Sequence, residues 1–474
     1  MNELPVKKYL NQMPKLLALL LSFCLAPLFG QQYPKGAILD PVKYQQADAK
    51  PALLSRSYTN LPRSASLRKY SPVPENQGEY GTCVGWATAF AARTISESQA
   101  LNRTNRDQIL SNVFSPAFVY KSISNDPTGQ SGSSISNALD YMKNAGVVKR
   151  LPIEKTMRFE NIALSMYSAA RRFPISGYVR LFSNPRGEPG TISERVPPVK
   201  LSLAQGKPVI IGMNTPGSFH RAKDVWRPVE SPNKVHGGHA MCVVGYNDDR
   251  YGGAFEVQNS WGTMWGNGGY AWITYSDFAA FVSQAYEVIE NLAVYKDATR
   301  YAASIQIEVD GNKGGMPVAL DRQGFYRTRE SHPSGTEFRF LMTNRHPAYV
   351  YAFAADSNTS GTVRIFPLSG SSPVLDYTNS AVAWPGEYDW IRLDQVAGTD
   401  YLVVLFSKGA LDINAIERQF AGERGGFSER VARAVGANFI PYNQVDYDSN
   451  AMKFSAVSTN PRAVFGLLLA IGHR

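Results

Sequence analysis

Gln77-Gly78-Glu79-Tyr80-Gly81-Thr82-Cys83 is the stretch on which the reading of this chain turns, because two partners follow it at long range. They are His239 in Gly237-Gly238-His239-Ala240-Met241 and Asn259 in Gln258-Asn259-Ser260-Trp261-Gly262. A thiol, an imidazole and a side-chain amide in that order supply a nucleophile, a base and a group that orients the base. From Cys83 onward Val84, Ala87, Phe90, Ala91, Thr94 and Ile95 recur at helical spacing, so one long helix is expected to start at the cysteine. The helix dipole and a neighbouring imidazolium would both favour a thiolate there. Such settings take thiols down to roughly 3.5–7.5.

The pattern on either side gives an outline. Helices are expected at Ile135–Ala145, stopped by Gly146, and at Val199–Gln205. Strands are expected at Pro208–Gly212, Ala240–Tyr246, Ala254–Gln258 and Gly269–Tyr275. Beyond Tyr295 short aromatic and β-branched runs take over: Phe338–Met342, Tyr349–Phe353, Val363–Phe366, Tyr401–Phe406 and Ala463–Ile471. Helices at Ile413–Phe420 and Ser428–Val435 interrupt them.

From about Leu67 to Val288 these motifs resemble the papain-like cysteine peptidases, in their bacterial branch. The resemblance implies an α+β fold of two lobes, one helical and one of antiparallel strands, with the cleft between them. It implies that Cys83 is the nucleophile, His239 the base and acid, Asn259 the orienting amide and Gln77 the side-chain oxyanion donor. Trp261 would cover the His239–Asn259 bond from water and line the substrate site. Gly132 and Ser133, in Gly132-Ser133-Ser134-Ile135, resemble the segment beside the non-primed cleft. The implied reaction is peptide-bond hydrolysis through a thioester acyl-enzyme on Cys83, endopeptidase action being the family default. No metal or organic cofactor is implied. Tyr80 stands where many members have a disulfide cysteine, and Trp86 follows Cys83 by three positions rather than one. The region after Tyr295 resembles a β-rich bacterial accessory domain, which implies no chemistry.

The resulting plan is a signal peptide over residues 1–30, an extended leader over 31–66, the peptidase over 67–295, a linker over 296–322 and a β-rich domain over 323–474. Lys7, Lys8 and Lys15 precede the apolar run Leu16–Ala26, which is short for a membrane span, and Gly30 offers a cleavage point. Export to the periplasm or beyond follows as the expectation. A lipoprotein would use Cys24, which the bulky Phe23 argues against. The leader is shorter than the helical inhibitory segments of many papain relatives, so control by such a segment is not expected.

The formal charge of +10 falls to +8 without residues 1–30 and lacks a dense basic run with interleaved aromatics, so nucleic acid is not expected as a partner. A peptide or protein substrate is, together with an envelope surface or protein met through the C-terminal domain. Cys83 and Cys242 are too few for a disulfide scaffold, and Cys242 reads as a core thiol. His236 is the rival base; it lacks His239's place at the start of an apolar strand. A nucleophile elbow at Gly81–Gly85 would need a preceding apolar strand, which Pro72–Gln77 is not. The remaining alternative is a catalytically silent binding platform at the envelope.

Overall fold

The computed structural model describes residues 33–150, 162–292, 298–311, 314–357, 362–377, 379–422 and 426–474. The signal-peptide reading of residues 1–30 lies outside the described residues. The helix at the cysteine is continuous from Cys83 to Ala100, but Trp86–Arg93 winds as a π-helix between two α-helical ends. Every side chain of that wide stretch is buried. Gly85 lets the helix lie on the next one, Pro116–Ile123; a Cβ there would come within 2.4 Å of the Pro116 oxygen. Arg93 pairs with Glu290 at 2.9 Å, both nearly buried, tying this helix to the chain just after the sheet. Losing either partner would strand a buried charge.

The helix Ile135–Asn144 ends as expected before Gly146. The expected Val199–Gln205 helix is longer, Ile192–Ala204, and contains Pro197 and Pro198. A capping box of Thr191 and Glu194 starts it. Arg195 then fixes the turn before the prolines by donating to the carbonyls of Ala279 at 2.8 Å and Val282 at 2.5 Å. Prolines usually mark a helix boundary in sequence; here capping and tertiary anchoring override them.

The second lobe is a sheet in the order Gly177–Arg180, Val282–Ile289, Val209–Asn214, Gly238–Asn247, Ala254–Gln258, Tyr270–Thr274 and Val225–Trp226. Its pairs are antiparallel except the last. The strand carrying His239 is central and nearly all buried, which makes its position rigid.

The C-terminal part is two sheets packed face to face. One contains Phe325–Thr328, Val464–His473, Gly398–Ser407 and Ala348–Asp356; the other contains Glu337–Asn344, Arg300–Val309 and Lys453–Val457. Tyr301 on Phe465 and Phe406 on Phe454 are among the contacts that close the core between them. Arg300–Val309 lies in the stretch expected to be a linker, 296–322, yet it is an interior strand between Glu337–Asn344 and Lys453–Val457. Its alternation is real, with Tyr301, Ala303, Ile305 and Ile307 inward, but two of its first inward and outward positions are alanine and carry little contrast.

The leader is built into this framework. Asp40 caps the helix Pro41–Gln46, whose Tyr44 is fully buried against Tyr286 and Phe182. Ala49 bridges Arg180 on one side and Ser371 on the other, and Ser64–Ser66 pairs with the His239 strand. Among the described residues no helix is long and apolar enough to cross a membrane.

Candidate active site

Cys83 opens its helix with a fully buried side chain. Burial pushes its thiol up to about 11, while backbone hydrogen bonds at Ala240 and Gly36 pull the other way. The expectation of a depressed thiol is therefore corrected for this state. A sulfur shut off from water loses the solvation of its negative form, and that outweighs a helix end.

His239 lies on the central strand, next to Ala240. Its Nε2 is 2.7 Å from Asn259 Oδ1, which also accepts the Ser260 N–H at 2.8 Å. An amide oxygen can only accept, so Nε2 carries the proton and Nδ1 is the free base. Nδ1 is buried without a hydrogen-bond partner. The Trp261 ring stacks on the imidazole, 4.5 Å between centroids and 25° between planes. Burial lowers the His239 pKa to about 3, against the Asn259 bond that raises it. Ring and thiol are thus both neutral here.

Gln77 is buried and held from several sides. Its Oε1 accepts from Ser260 Oγ at 2.6 Å, and its Nε2 donates to the Tyr80 carbonyl at 2.7 Å. His236 is turned elsewhere, its Nε2 at 2.8 Å from the Ser231 carbonyl. Cys242 is a buried thiol of the central strand, paired across from Ile210. Gly266 has φ +62, and a Cβ on it would sit 2.2 Å from the Tyr270 oxygen. The structure brings Cys83, His239, Asn259, Gln77 and Trp261 to one place and leaves His236 and Cys242 out of it.

The leader fills the groove above these groups. The Pro34 carbonyl accepts from Gln77 Nε2 at 3.4 Å and from Trp261 Nε1 at 3.3 Å. Lys35 donates to the carbonyls of Thr215 at 2.5 Å and His236 at 2.8 Å. The Gly36 carbonyl accepts the Ser133 N–H at 2.7 Å, Ala37 N–H donates to Gly238 at 3.1 Å, and Ile38 N–H donates to Ser133 at 2.9 Å. Leu39 then lies among Gly212, Gly238 and Ile135, close enough that a Cβ on Gly212 would meet it at 2.6 Å. Gly132 lies directly under the leader, where a Cβ would meet the Gly36 oxygen at 2.9 Å. A short extended segment covers the groove, which the sequence reading did not anticipate. His220 was also missed: it stacks on Trp261 at 5.0 Å and 14°, and burial lowers its pKa to about 4. Neither has a spacing signal.

Two expectations follow. His239→Ala should lose most turnover, whereas His236→Ala should keep peptide cleavage within about twofold, because its ring bonds a loop carbonyl. Comparable losses with folding intact by circular dichroism would transfer the role. The second concerns pH. Burial depresses the His239 pKa from 6.5 to about 3, so the covered state is fully favoured above pH 6.5 and loses stability as pH falls towards 3. The slope is roughly 1.4 kcal/mol per pH unit at full effect. A thermal midpoint that falls on acidification no more steeply in the wild type than in His239→Gln would contradict it.

The model of the papain family cysteine protease matches residues 61–289. Among curated relatives, an uncharacterized peptidase C1-like protein L477 of Acanthamoeba polyphaga mimivirus is 27% identical over 279 residues, 53% of this chain and 83% of that protein. A cysteine protease of Blomia tropicalis is 26% identical, covering 48% of this chain and 66% of its own length. Among solved structures, xylellain, a cysteine protease from Xylella fastidiosa, matches 55% of this chain and 98% of its own at 20% identity and TM-score 0.43. With the motifs in one place and the family model spanning both lobes, residues 61–289 are a papain-family cysteine protease domain, and the chain carrying them is a cysteine-type peptidase.

Proposed function

We propose that the chain is an exported peptidase that hydrolyses peptide bonds through a thioester on Cys83. The observation that carries the assignment is the His239–Asn259 bond of 2.7 Å under the Trp261 ring, which leaves a free basic nitrogen on the strand beside the sulfur. Once the groove is open to water, proton transfer from Cys83 to His239 Nδ1 gives a thiolate and an imidazolium. The thiolate adds to the scissile carbonyl, and the oxyanion meets Gln77 Nε2 and the Cys83 backbone N–H. The imidazolium protonates the leaving amine as the C–N bond breaks and the thioester forms. Water, deprotonated by His239, then releases the acid and restores the thiol. Asn259 holds the tautomer throughout. Gly132, Ser133 and Trp261 line the path of the bound peptide, where they now hold the leader.

Gln77→Ala should lower kcat by about 10²–10³, the usual effect of losing one oxyanion donor. Asn259→Ala should cost less than His239→Ala, since it orients rather than transfers a proton. Export rests on residues 1–30 of the sequence and is tested by sequencing the N-terminus of protein from the secreted or periplasmic fraction. One observation favours the second reading, a silent platform: the groove is filled by the chain's own residues. Intact mass after treatment with a thiol-directed epoxide decides between them. A single adduct on Cys83 together with cleavage of a peptide library supports the peptidase; preferential labelling of Cys242 overturns the assignment.

A further inference from the structure

The leader has two supports, and one of them is the C-terminal β-rich region. Ala49 N–H donates to the Gly370 carbonyl at 2.7 Å, and the Ala49 carbonyl accepts from Ser372 at 3.0 Å. Leu54 N–H donates to the Ala381 carbonyl at 3.1 Å. The Tyr377 hydroxyl donates to the Pro51 carbonyl. Ser55 gives both its N–H, at 2.8 Å, and its hydroxyl, at 2.7 Å, to one carboxylate oxygen of Glu387. Leu53 enters the core between the two C-terminal sheets, and Leu54 packs on Leu341 and Ala383. Beside this ribbon Lys50 meets Glu287 at 2.5 Å and Lys207 meets Asp376 at 3.1 Å, so buried charges tie leader, peptidase and β-rich region together.

The groove segment, residues 34–40, makes a different kind of contact. It is extended and bonded mainly through its backbone. Ordering each such residue costs more than a net backbone hydrogen bond returns, so its seating depends on what fixes the chain just after it. That anchor is the helix Pro41–Gln46 with buried Tyr44, followed at once by the ribbon on the β-rich region. We propose that the β-rich region is a holdfast for the leader: it binds residues 49–55 through the Ala49 bridge, the hydrogen bonds at Pro51, Leu54 and Ser55 and the buried Leu53 and Leu54, and thereby keeps residues 34–40 over Cys83. This names the regulation of the groove assigned above and rests on that assignment. Released from the holdfast, the helix Pro41–Gln46 loses the support on its downstream side, and the effective concentration of residues 34–40 over Cys83 falls.

The test uses the full chain and reads cover rather than catalysis, so it stands apart from whether the groove cleaves peptides. Two variants loosen the holdfast without touching the groove: the double variant Tyr377→Phe/Glu387→Ala, and Ala49→Pro, which removes the N–H given to Gly370. Iodoacetamide alkylation of Cys83 is followed by intact mass, and amide hydrogen exchange by peptide mapping. In either variant Cys83 should be alkylated about tenfold faster, as expected for losing hydrogen bonds to a charged group or to a backbone carbonyl. The Gly36–Ile38 amides should exchange faster while those of Ala240–Tyr246 stay protected. Alkylation unchanged in both variants overturns the proposal. So does a rise accompanied by equally fast exchange of Ala240–Tyr246, which would mean a loosened fold rather than a released leader.

Discussion

Cys83→Ala is expected to abolish peptide cleavage, by about 10⁴-fold or more, with the fold preserved. The change removes one sulfur atom from a fully buried site at the start of a helix, and alanine suits a helix at least as well. Backbone positions of His239 and Asn259 are set by their own strand and loop, not by the sulfur. The control is Cys242→Ser. It places a hydroxyl among apolar neighbours in the central strand and should lower the thermal midpoint, at a cost of about 1–3 kcal/mol, while leaving turnover in place. Peptidase rates for purified Cys83→Ala above those of a heat-killed control, with the same cleavage sites as the wild type, would remove the nucleophile assignment.

Gly36→Val should have a large effect in the opposite direction. A Cβ on Gly36 would sit 2.0 Å from the Gly81 carbonyl oxygen, and backbone atoms, not a movable side-chain tip, form that wall. The leader cannot keep its place over Cys83 with any side chain at position 36. With the cover lifted, water reaches the sulfur and the burial that holds its pKa near 11 is relieved. The pH midpoint of alkylation should then move down by several units. At neutral pH each unit is about tenfold in thiolate, so labelling should rise on the order of 10²-fold or more. Cleavage of a small peptide should rise with it. A Gly36→Val protein whose Cys83 still reacts like a thiol of pKa near 11 would show that something other than residues 34–40 shields it.

The active-site cluster was legible from sequence because each member sits in a motif with its own local reason. Cys83 precedes a helical apolar spacing, His239 precedes an apolar strand, and Asn259 ends another with Trp261 two residues later. The strand Ala254–Gln258, between the turn at Gly252-Gly253 and the Asn259 motif, was found to the residue. What failed had a weak or misleading local pattern. Arg300–Val309 hides its alternation behind alanines, and Ile192–Ala204 carries two prolines that tertiary bonds override. The thiol pKa was misjudged because the groups that bury Cys83 lie in residues 34–39, whose backbone bonding to Ser133 and Gly238 leaves no signature in side-chain type.

The double bridging of Ala49 also sets a timetable. The contact between Ser55 and Glu387 joins residues 332 positions apart, so one side of that ribbon has no surface to settle on until most of the chain exists. At about 5–20 residues per second of synthesis, that interval is some tens of seconds. Closing so long a loop also slows folding itself, since the entropy of closure must be met before the contact forms. A ribosome that stalls or a chain clipped before Pro367–Glu387 would therefore release a protease domain whose leader is fastened on one edge only. On the holdfast proposal, synthesis through Glu387 would be the checkpoint for keeping the protease domain of residues 61–289 quiet.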